Sequence, residues 1–131
     1  MTADHADIHR LIDALLRVAR NMLRRERSVF AIVMTMKASG EIIVHHKSVM
    51  ASPAWAAFQR QIESSVRGDM EDGTLRAVGT CVNITHEDRH VPDELPALAV
   101  RVEHHAGGIV HSRLPYKILD GGMIHIERRP P

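Results

Sequence analysis

His86-Glu87-Asp88-Arg89-His90 has the H-E-x-x-H spacing with which zinc peptidases hold their metal. On a helix that spacing turns two imidazoles to one side and sets the glutamate beside a metal-bound water. Here the motif follows the strand-like run Val82-Asn83-Ile84-Thr85, and Pro92 and Pro96 come soon after it. A strand in front and prolines behind leave no room for the helix. The segment therefore reads as a polar loop, and His86 and His90 rank last among the metal candidates.

The chain holds ten histidines. His45-His46 and His104-His105 are adjacent pairs on expected strands, where neighbours point to opposite faces, so neither pair chelates an ion by itself. A shared site needs one histidine from each of several strands. His46, His104, His111 and His125 could form one on a common face, because cross-strand neighbours lie about 5 Å apart. That arrangement would make the chain a metal-binding protein or a metal-dependent enzyme.

Cys81 is the single cysteine. It has no activating neighbour in sequence and sits among small residues, which suits a packed, inert thiol. One cysteine excludes an internal disulfide and favours a reducing compartment. Arg10, Arg17, Arg20, Arg24, Arg25 and Arg27 give the first helix a basic edge, but Asp4, Asp7, Asp13 and Glu26 interrupt it. With four aromatic residues in the chain to stack on bases, that edge is expected to be solvated, and nucleic acid is not an expected partner. Gly107-Gly108 and Gly121-Gly122 precede no helix and no Lys-Ser/Thr, so they read as turns and not as phosphate cradles. No cofactor is expected.

The elements that must position these groups follow from periodicity. From Asp7 to Glu26 the apolar residues Ile8, Leu11, Ile12, Leu15, Leu16, Ala19, Met22 and Leu23 recur every three or four positions, which predicts a helix capped by Asp4 or Asp7. Ser28 to Met36 is apolar on both faces, as in a central strand. Lys37-Ala38-Ser39-Gly40 turns the chain, and Glu41 to His46 returns beside it. Ser52-Pro53 starts a second helix with Trp55, Phe58, Ile62 and Val66 on one stripe, ending near Gly68. Leu75 to Thr85 is a third strand, with Ala77, Gly79 and Cys81 small enough for a helix to approach closely. The loop from His86 to Pro96 leads into three antiparallel strands that begin near Leu98, Ile109 and Met123.

The order α-β-β-α-β-β-β-β predicts a single α+β domain over residues 1–131. It has an antiparallel sheet of about six strands with both helices packed on one face. Phe30-Ala31-Ile32-Val33 leading into Ser39-Gly40-Glu41, then Val100 to His105, then Leu114-Pro115-Tyr116 resembles a group of small uncharacterised bacterial α+β proteins. The element order is also similar to profilin-like and roadblock-type folds. The resemblance implies a bacterial binding or scaffold domain and carries over no site residue.

The expected function is a non-enzymatic binding or protein-interaction module with a protein or small-molecule partner. A homodimer is expected because two helices cover one side of a sheet whose first strand is apolar on both. The N-terminus has acids where a secretory signal has bases, and no apolar run approaches the ~20 residues that span a bilayer. A cytoplasmic protein with no membrane partner is expected. A formal charge of +1 supplies no field that would select a polyanion.

Overall fold

Helix α1, Ala3–Arg25, buries Ile8, Leu11, Leu15, Leu16, Ala19 and Leu23 along one stripe. It begins four residues before the expected start, and Asp7 lies inside it rather than at its cap. The computed structural model describes residues 3–25, 30–49, 64–84 and 96–127. Within them follow β1 (Phe30–Lys37), β2 (Ile42–Val49), the helical residues 64–71 of α2, and β3 (Leu75–Ile84). Next come β4 (Ala97–His104), β5 (Ile109–Ile118), a short 3-10 turn (Asp120–Gly122) and β6 (Ile124–Ile126). Trp55, Phe58, Ile62, His86 and His90 lie outside the described residues.

The six strands form one antiparallel sheet in the order β2-β1-β3-β4-β5-β6. Only the β1–β3 ladder joins strands that are not consecutive in the chain, because β1 lies between β2 and β3. The sheet curls around α1, which packs on β1, β3, β4 and β6. Phe30, Ile32, Met34 and Met36 face the helix together with Ala77, Cys81, Val100 and Val102. Gly79 is the point of closest approach. A Cβ there would lie 2.9 Å from Leu15 Cδ1 and 3.1 Å from Leu11 Cγ, so the backbone of β3 comes within reach of the helix only because no side chain stands between them.

The second face of β1 differs from expectation. Ala31, Val33 and Thr35 are as buried as their neighbours on the α1 face, so β1 is covered on both sides within one chain. Farther along, the same face carries exposed Arg101, His111, Arg113 and Lys117. A wet apolar face for a dimer to bury is therefore missing at β1, where it was expected, and the β4–β5 part of that face is charged. The described residues Ser65, Val66 and Asp69 of α2 line a cleft together with Thr35, Ile43 and His45 of this second face. The helix also runs through Gly68 to Glu71, past its expected end.

Candidate functional site

Between the β1–β2 hairpin and α2 lies a cleft of about 690 Å³. Ile43, Val66 and Leu75 supply its apolar surface, and Thr35, His45 and Asp69 are polar groups on its walls. A β-bulge puts His45 there. Val33 pairs with His46 and Met34 with Val44, which leaves His45 as the extra residue of β2 and breaks the strict alternation expected for His45-His46. His45 Nε2 and Thr35 Oγ1 share a hydrogen bond of 2.6 Å.

That distance is within reach for a base drawing a proton from a hydroxyl. Thr35, however, is only 2% exposed, and its hydroxyl sits on a central strand. The bond satisfies a buried polar group and fixes the imidazole at the cleft wall. The hairpin is tied to the start of β3 by Ala38 N–H donating to the Thr74 carbonyl at 3.1 Å, and Gly40 closes the turn at φ 93°. Below it, Asp72 Oδ1 accepts from Thr74 N–H at 2.9 Å. The Thr74 side chain and then this backbone bond hold the Asp72 carboxyl below its ordinary value.

A second polar cluster lies on the α1 face. His104 Nε2 donates to Asp7 Oδ2 at 2.9 Å, and Ala106 N–H donates to His104 Nδ1 at 3.1 Å. The backbone bond fixes the ring proton on Nε2, so both nitrogens of His104 are committed. Arg76 reaches the other Asp7 oxygen at 3.5 Å. Asp7 and His104 are both buried, and their bond joins the start of α1 to the end of β4. His105 falls just past the strand, where its ring lies 4.9 Å from that of His104 instead of on the opposite face.

The register separates the strand histidines. His104 pairs with Ala77 on the α1 face, whereas His111 sits opposite Arg101 on the second face. His125 pairs with Lys117, about 20 Å along β5 from His111. His46 lies at the far edge of the sheet on β2, four ladders or roughly 20 Å from β5. The common face expected for His46, His104, His111 and His125 does not exist. Among the described residues no three histidine, cysteine, aspartate or glutamate side chains converge on one point.

Comparison with protein-family models, curated proteins and solved structures finds no match. The resemblance to profilin-like and roadblock-type folds thus gains no relative, and a small α+β fold is what stands.

Cys81 is fully buried, and burial pushes its thiol up to about 12. Arg10 is engaged by the hairpin, donating to the Gly40 carbonyl at 3.1 Å. Arg17, Arg20 and Arg24 line a shallow groove with Asp13. Arg27 lies outside the described residues. Gly107, Gly121 and Gly122 adopt positive φ, as turns require. No helix of the described residues is long and apolar enough to cross a membrane.

Sequence reasoning did not single out Thr35 or Asp69, and it gave Asp7 only as a possible helix cap. Thr35 carried a signal, since it is the one polar residue in an apolar strand core. The bond that Asp7 makes carried none, because its partner His104 is 97 positions away.

Proposed function

We propose that this chain is a non-enzymatic binding module whose ligand occupies the cleft between the β1–β2 hairpin and α2. The cleft volume carries the reading, since about 690 Å³ falls in the range of small-molecule sites, about 300–1,000 Å³. Apolar walls with a few fixed polar groups select a small, largely apolar ligand with one polar group to meet His45 or Asp69. The single free thiol suits a reducing compartment, and we place the module in the cytoplasm. A thermal-shift screen with small aromatic and aliphatic acids, amides and amines tests the proposal. Compounds that raise the melting temperature of the wild type but not of Val66→Trp support it. Equal shifts in both proteins refute it.

A second reading, a homodimer, rests on the outer edge of β2. Val44 is 43% exposed there, and among the described residues no strand pairs beyond β2. Antiparallel pairing of two such edges about a two-fold axis extends the sheet across both chains. The bulge at His45 and the charge of Lys47 confine that pairing to the Ile42–Val44 end. Sedimentation velocity at micromolar concentration should show a dimer that Val44→Lys dissolves; a wild-type monomer refutes it.

A further inference from the structure

His5 and His9 stand one turn apart on α1, both exposed, with ring centres 5.8 Å apart and ring planes 20° from parallel. We propose that this pair is a two-nitrogen site for a borderline divalent cation such as zinc, nickel or copper(II). Residues at i and i+4 share one side of a helix, which is the geometry that the strand histidines lack. An imidazole nitrogen binds zinc at about 2.0–2.1 Å, so rings sharing one ion have centres roughly 5 Å apart. The rings must turn about the terminal side-chain torsion to aim a nitrogen each at one ion, and that torsion is broad for histidine.

The other close pair among the described residues cannot do this. His104 has both nitrogens committed, to Asp7 and to the Ala106 amide. Among the described residues no hydrogen bond holds His5 or His9, and both are exposed, so each ring has room to turn. Two imidazoles select a borderline cation over calcium or magnesium, which take oxygen ligands. The remaining coordination positions are open to water or to a donor from another molecule.

The test is isothermal titration of the full chain with zinc chloride in a non-chelating buffer. The wild type should take up one equivalent that both His5→Gln and His9→Gln weaken by tenfold or more, on the order expected when a chelate loses one arm. Adding Asp13→His to the His5→Gln chain restores the spacing one turn along the helix, and tight binding should return. His111→Gln should change nothing. Circular dichroism without metal checks that every variant keeps its helix. Zinc uptake unchanged in His9→Gln, or no recovery on adding Asp13→His, overturns the site.

Discussion

Asp7 accepts the Nε2 proton of His104 at 2.9 Å, although the two residues are 97 positions apart in the chain. The bond joins the first turns of α1 to the end of β4, and both partners are buried. Removing either leaves the other with a lost charge-assisted bond, at a cost of about 1.5–3 kcal/mol. Urea denaturation of Asp7→Ala and of His104→Ala should each show that loss. Asp7→Asn, which keeps an acceptor oxygen, should lose less. A double variant no worse than either single one would show the coupling directly.

Gly79 sets the distance between α1 and β3. Gly79→Ala should destabilise by about 1–3 kcal/mol, because the new methyl meets Leu15 and Leu11 inside ordinary contact distance. Its φ is not in the left-handed region, so crowding is the cause and not backbone strain. In a Leu15→Ala background the same change should cost less. An equal cost in both backgrounds would mean that the contact is not what Gly79 serves.

The local patterns were legible. The three-and-four spacing from Ile8 to Leu23, the two-sided apolar run of β1 and the glycine turns gave the elements and their order to within a few residues. The small face of β3 foretold the close approach at Gly79. The sites were not legible, because each depends on distant pairing. The bulge that places His45 in the cleft is a register shift against β1, and nothing in the His45-His46 dipeptide announces it. The common face imagined for His46, His104, His111 and His125 failed for the same reason, since register assigns His104 to the opposite side. Asp7 looked like a cap because its partner, His104, is 97 positions away.

Asp72 is fully exposed, and its effect should be small and dependent on pH. Its folded carboxyl is held below the ordinary 3.8 by Thr74, so the bond adds stability above that value. The contribution fades as pH falls through the folded value. Asp72→Asn should therefore melt slightly below the wild type at pH 7, and the gap should close at acid pH. A gap that widens on acidification would reverse the sign and contradict the assignment.

Cys81 should be chemically silent while the chain is folded. Its thiol is pushed up to about 12 by burial, so almost no thiolate exists near pH 8. Iodoacetamide should leave the native protein unmodified for hours and label it quickly in guanidinium chloride. Rapid labelling of the native form would show that β3 opens or that the thiol is accessible.

The ligand cleft is tested most directly by amide NMR shifts, recorded while the compounds that raise the melting temperature are titrated into the wild type. The largest shifts should fall on Ile43, His45, Val66 and Asp69, saturate together, and vanish in Val66→Trp. Shifts that fall instead on β5 and β6, or that persist unchanged in Val66→Trp, would contradict a ligand seat between the hairpin and α2.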